Sequence, residues 1–177
     1  MKTVFNNRQL AHVWAQQTQA EGRNPSRSMF FEGNTIYSYG YHYAIATMYF
    51  KGLEKLVLVN EYGYSNTTCK QRNDVLRAIK YTNFVYVPRP TNLECEENEN
   101  HLYNQVISHI DSLMSTRTKN TSFEWLEKSI KNLNLYLSFI EKPLFKLDDV
   151  YYDTLKEINK LRIDRNFENE QKSILIK

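Results

Sequence analysis

The sequence predicts an α+β fold: an N-terminal helix, a small antiparallel sheet and a second helix, followed by a C-terminal bundle of about three helices. Three observations predict it. From Met29 to Asn60, apolar and aromatic residues come in short runs broken by Gly-containing turns, the pattern of strands. Beyond residue 100 the apolar repeat lengthens to three or four residues, the period of amphipathic helices. The charge changes with the period. Residues 1–92 hold 11 Lys and Arg against 5 acids, a balance of +6, whereas the remainder carries −3 of the overall +3. The expected organisation is a basic α+β domain over 1–92, an acidic linker over 93–99, a helical region over 100–166 and a frayed tail over 167–177.

Each element has a local reason. Asn6 or Asn7 can cap the first helix, with Phe5 stapled against its first turn and Leu10, Val13, Trp14 and Gln17 on one side. "EGRNPSRS" reads as a polar loop. "SMFF" and "TIYSY" flank "EGN" as a hairpin, Gly40 supplies a bend before "YHYAIATMY", and "KGLE" turns the chain into "KLVLV". Thr67 or Thr68 would cap the second helix, which turns Val75, Leu76 and Ile79 inward. "NFVYV" is the last strand, ended by Pro88 and Pro90. In the helical region the inward stripes are Leu102, Val106, Ile110, Leu113 and Met114, and then Phe123, Leu126, Ile130, Leu133, Leu137 and Ile140. Thr121 or Ser122 caps the second of these helices and Pro143 stops it. A third helix from about Asp148 turns Val150, Leu155, Ile158 and Leu161 inward.

The segments "LAHVWAQQ", "FFEGNTIYSYGYHYAIA" and "LVLVNEYGYSNTTCKQRNDVLRAI" agree in order with a known family. Over roughly residues 4–88 the chain resembles a domain of unknown function found in small bacteriophage and mobile-element proteins. The insertion "TMYFKGLEK" departs from that pattern, and the helical half lies outside it. The resemblance supplies no catalytic residues. It implies an anti-CRISPR-like setting, in which a small protein acts on host machinery such as RNA-guided defence.

Several chemistries find little support in the residues. His12, His42, His101 and His109 form no close-spaced pair with carboxylates, so no metal site is expected. No Gly-rich phosphate cradle occurs, and no cofactor is expected. Cys69 and Cys95 lack metal or disulfide spacing and suggest a reducing cytoplasm. No apolar run approaches the roughly 20 residues of a membrane span, and "MKTVFNNRQL" lacks the apolar core of a signal peptide. Cys69, at a predicted helix start where the macrodipole favours a thiolate, is the one candidate nucleophile, with His42 as a remote base.

Tyr37, Tyr39, Tyr41 and Tyr43 fall on alternate residues and would share one face of an unbroken strand. Four buried phenol hydroxyls need partners, so such a face would be half-exposed, or Gly40 would send the second pair elsewhere. The ladder then serves sheet packing, a protein contact, or the stacking of bases beside basic residues. The candidate binding residues are Arg23, Arg27, Tyr39, Tyr41, Tyr43, Lys51, Lys70 and Arg77. The expected function is a non-enzymatic protein that inhibits or redirects a bacterial RNA-guided nuclease through protein or guide-RNA contacts, with the C-terminal helices available for homodimerisation. A general nucleic-acid-binding accessory protein is the first alternative, and a small enzyme using Cys69 or His42 the second.

Overall fold

A computed structural model of the chain describes residues 2–115 and 122–175, with side chains described as far as Asp164. In chain order the elements are α1 (Asn7–Gln16), β1 (Glu21–Arg23), β2 (Met29–Glu32), β3 (Thr35–Ser38), β4 (Ala44–Lys51), β5 (Glu54–Asn60), α2 (Asn66–Ala78), β6 (Asn83–Val87), α3 (Glu96–Met114), α4 (Phe123–Phe139) and α5 (Asp149–Leu175). The fold is α+β: two helices and a mixed six-stranded sheet in the N-terminal part, and a three-helix bundle in the C-terminal part. The chain divides into two compact units. The first runs to His101 and adds Phe139–Glu141; the second holds Leu102–Ser138 and the residues from Lys142 onward.

In the first unit the strands lie in chain order, β1 to β6. Neighbours are antiparallel up to β5, and β6 pairs parallel with β5. The sheet is therefore mixed rather than antiparallel. The reason is α2, which carries the chain back to the starting end of β5, as a parallel pair requires. β5 is buried on both faces, and such a run loses the alternation of a half-exposed strand. Leu56, Val57, Leu58 and Val59 are all buried.

α1 and α2 cover one face. Asn6 caps α1 by accepting from Gln9 N at 2.8 Å, and Gln17 ends it in a left-handed conformation. Leu10, Ala11 and Trp14 enter a core with Met29, Phe31, Ile36, Met48, Val57 and Val59, and Val75 and Ile79 of α2 join it. Each large side chain contributes roughly 1.5–3 kcal/mol by leaving water. Gly22 of β1 is required by this packing, since a Cβ there would stand 2.7 Å from the Phe31 ring and 3.2 Å from Leu10. A bulge between β3 and β4 makes Ile36 pair with Ala46 and Tyr37 with Ala44. The extra residue, Ile45, is thereby turned into the core.

Local expectations shift at several points. Glu21–Arg23, read as loop, is an edge strand whose outer side is met by Thr3 and Phe5. Ser65, not Thr67 or Thr68, caps α2, accepting from Thr68 N at 3.2 Å. Residues 93–99 do not form a linker throughout, because α3 begins at Glu96. Asn98 is fully buried there and bonds the backbone of Arg89 and Asn92.

In the second unit Leu102, Val106 and Leu113 of α3, Phe123, Leu126, Leu133, Tyr136 and Leu137 of α4, and Leu155 of α5 are buried. Asn134 holds both backbone groups of Phe145, fastening the chain after Pro143 to α4. Arg162 of α5 donates to the carbonyls of Leu113 and Ser115 at the end of α3, satisfying acceptors that a helix C-terminus leaves open. Val150, Leu161 and Met114, expected inward, are exposed. The segment 167–177, expected to fray, is helical to Leu175, and Thr121 lies outside the described residues.

Candidate binding surface

Strand alternation divides the first unit's side chains between the sheet's two faces. Met29, Phe31 and Ile36 point to the helices. Phe30 and Tyr37, one position along, therefore point the other way. They are direct cross-strand partners, and their rings stack at 5.1 Å with an interplanar angle of 19°.

The tyrosine ladder does not continue as a strand. Tyr39 is left-handed at φ 55° and Gly40 follows at φ 130°, a value that only glycine adopts readily. This turn brings Tyr41 back over the pair, edge-on to Phe30 at 5.1 Å and to Tyr37 at 5.2 Å. Its hydroxyl donates to Glu32 Oε1 at 2.5 Å, and the bond raises the Tyr41 pKa by favouring the protonated phenol. Tyr41 is 65% exposed and Tyr39 56%.

Two arginines stand beside the rings. Arg23 pairs directly with Phe30 across β1 and β2, and Arg27 occupies a left-handed position in the turn between them. Glu21, Arg23, Arg27, Phe30, Glu32 and Tyr41 line an open groove of about 470 Å³.

The remaining candidates lie elsewhere. Tyr43 turns to the helical face, packs on the core and donates through its hydroxyl to the Tyr62 carbonyl. Burial raises its pKa, while the positive charge of Arg72 works against the rise. Lys51 ends β4 and stands 3.2 Å from Glu141. Lys70 and Arg77 are exposed on α2, Arg77 at 3.5 Å from Asp74. Of the eight sequence candidates, only Arg23, Arg27 and Tyr41 line the groove.

Sequence reasoning missed the polar cluster that positions this surface. Gln71 is fully buried on α2, donating to the Ser28 carbonyl at 3.1 Å and accepting from Ser38 Oγ at 2.5 Å. Asn24 Nδ2 donates to Asn7 Oδ1 and Ser28 Oγ, and Asn24 Oδ1 accepts from Met29 N. The Ser28 carbonyl also accepts from Tyr39 N at 2.9 Å. One buried glutamine thus ties the turn that carries Arg27 to the bend that returns Tyr41. "NPS" at 24–26, an Asx-turn sequence, was the legible trace of it.

Cys69 is half-buried in the first turn of α2 against Gly63, and His42 is exposed beside Gly40. No hydrogen bond joins the two among the described residues. His101 Nε2 lies 2.9 Å from Glu61, while His109 is half-buried near Trp125. Among the described residues no three His, Cys, Asp or Glu side chains cluster so as to hold a metal ion. No helix among them is long and apolar enough to cross a membrane. No protein-family model, curated protein or solved structure matches the chain.

Proposed function

We propose that the chain is a non-catalytic binding protein whose Phe30–Tyr37–Tyr41 surface and flanking arginines engage single-stranded nucleic acid. The observation that carries this reading is the convergence of an exposed Tyr41, supported on two further rings, with Arg23 and Arg27 around one open groove. An aromatic face stacks on any base for roughly 1–3 kcal/mol, and guanidinium groups bind phosphate oxygens in a planar fork. The +6 balance of residues 1–92 would add long-range attraction.

Fluorescence anisotropy with labelled single-stranded RNA and DNA of about ten nucleotides tests the reading. Tyr41→Ala should weaken binding about 5- to 150-fold, and Tyr41→Phe, which keeps the ring, far less. Arg23→Gln and Arg27→Gln should each flatten the log–log salt dependence by about 0.7. Lys70→Gln and Arg77→Gln, on the helical face, should have smaller effects, and Cys69→Ser and His42→Asn none. Wild-type protein that binds neither strand at low salt would refute the proposal, as would a Tyr41→Ala variant of unchanged affinity.

A protein partner is the second reading. Glu21 and Glu32 line the same groove and offset the two arginines, and Tyr and Arg are the residues that most often anchor protein contacts. The resemblance over residues 4–88 supports a narrower version of either reading, in which this face meets an RNA-guided nuclease or its guide RNA.

A further inference from the structure

The groove beside Tyr41 holds charges of both signs that do not neutralise one another. Gly22 faces the Phe31 ring of the core, so its neighbours Glu21 and Arg23 point to the outer face, with Phe30 and Glu32 of β2. Glu21 and Glu32 are direct cross-strand partners. Like charges set directly opposite destabilise a sheet, so strand pairing gives no reason for these two. Glu32 is committed to the Tyr41 hydroxyl through Oε1. The Glu21 carboxylate has no hydrogen-bond or ion-pair partner among the described residues, and neither Arg23 nor Arg27 closes an ion pair with either acid there. An exposed ring, an unengaged carboxylate and two guanidinium groups therefore line a single groove.

We propose that this groove selects guanine, with Tyr41 stacking on the base and the Glu21 carboxylate accepting from its N1–H and N2–H groups. The inference rests on the nucleic-acid reading of the groove and adds a base preference to it. A ligand suited to both signs must carry an anion and a pair of hydrogen-bond donors. A nucleotide supplies the anion in its phosphate, which suits Arg23 and Arg27. Guanine alone among the four bases sets two N–H donors side by side on its Watson–Crick edge, matching the two oxygens of a carboxylate. Adenine and cytosine offer an exocyclic amine next to an acceptor nitrogen, and uracil offers one N–H between two carbonyls. Each of these sets an acceptor against the carboxylate. The Watson–Crick edge is open to a protein only in unpaired strands, in keeping with a single-stranded ligand. A lysine or arginine of a protein partner would also pair with Glu21, but would bring a positive charge up to Arg23 and Arg27.

Fluorescence anisotropy tests the preference with a single-stranded RNA of about ten uridines and with versions carrying one central guanosine, adenosine, cytidine or inosine. A bidentate pair discriminates by about 5- to 150-fold, so wild type should bind the guanosine strand more tightly than all-uridine by that factor. Inosine, which lacks the N2 amine, should lose part of the gain. Glu21→Gln should bring the guanosine strand down to the uridine level. All-uridine should instead tighten slightly, because a negative charge has left the neighbourhood of the phosphates. Opposite directions on two strands cannot come from a damaged fold, and thermal melting checks the fold separately. Wild type that binds every strand alike, or inosine as tightly as guanosine, would overturn the guanine assignment and leave the nucleic-acid reading in place. A folded Glu21→Gln variant that keeps the preference would overturn it too. Binding of no strand would overturn both.

Discussion

Gln71 shows how much can depend on one side chain. It is buried on α2, as is Thr68, and it bonds Ser38 and Ser28 on two separate stretches of chain. Gln71→Ala would remove one partner from each group, leaving the Ser28 carbonyl to Tyr39 N and the Ser38 hydroxyl to a 3.4 Å contact with Thr68. The expected loss is about 1–3 kcal/mol in urea unfolding. Binding should weaken as well, because the bend under Tyr41 loses its anchor; an equally stable variant would show that the cluster is ornamental. His109 gives a second test. Its Nδ1 is buried with no hydrogen-bond partner among the described residues, and burial lowers its pKa below the ordinary 6.5. The unfolded chain therefore takes up the proton first as pH falls. The stability associated with neutral His109 is present above pH 6.5 and declines as pH drops through the lowered folded value. Urea midpoints should fall between pH 7 and 5, and His109→Phe, which keeps a ring beside Trp125, should flatten that slope.

At the scale of elements, local chemistry and packing disagree most at boundaries. α3 starts at Glu96 although "NLECEENEN" has little apolar content. Its three acids in the first turn suit the positive end of the helix, and Asn98 fastens that turn to the backbone of Arg89 and Asn92. Composition alone made this stretch look like a linker because the fixing interactions reach back nine residues. Asn98→Ala should cost about 2–3 kcal/mol by leaving backbone groups unpaired, read as a lower denaturation midpoint. A near-neutral result would mean that the segment is loosely held after all. At α2, by contrast, the start was misread by only two or three residues, Ser65 taking the role expected of Thr67 or Thr68. Several adjacent hydroxyls can all cap, and only the path of the preceding loop selects one.

Across the whole chain, periodicity was enough for the architecture. The Leu10–Trp14 stripe, the Val75–Ile79 stripe, "KLVLV" and the Leu126–Leu133–Leu137 repeat each match an element with the expected buried side. Apolar spacing reports which face leaves water, and burial is the largest favourable term in folding. The same rule failed for α5, where Val150 and Leu161 match a helical repeat yet stay exposed, because periodicity cannot say whether a neighbour arrives to cover a face. For the tyrosines it left two outcomes open. An unbroken strand would put Tyr37, Tyr39, Tyr41 and Tyr43 on one face, and the bend at Gly40, the alternative, is the one formed: left-handed Tyr39 and Gly40 send Tyr41 back onto Phe30 and turn Tyr43 to the core. From the sequence alone came the fold class, the change from sheet to helices, and the residue types available for binding. The mixed sheet, the bulge at Ile45 and the meeting of Arg23, Arg27 and Tyr41 were decided only in three dimensions. Each of these depends on contacts between residues far apart in the chain, and a local pattern carries no information about which distant partner will satisfy it.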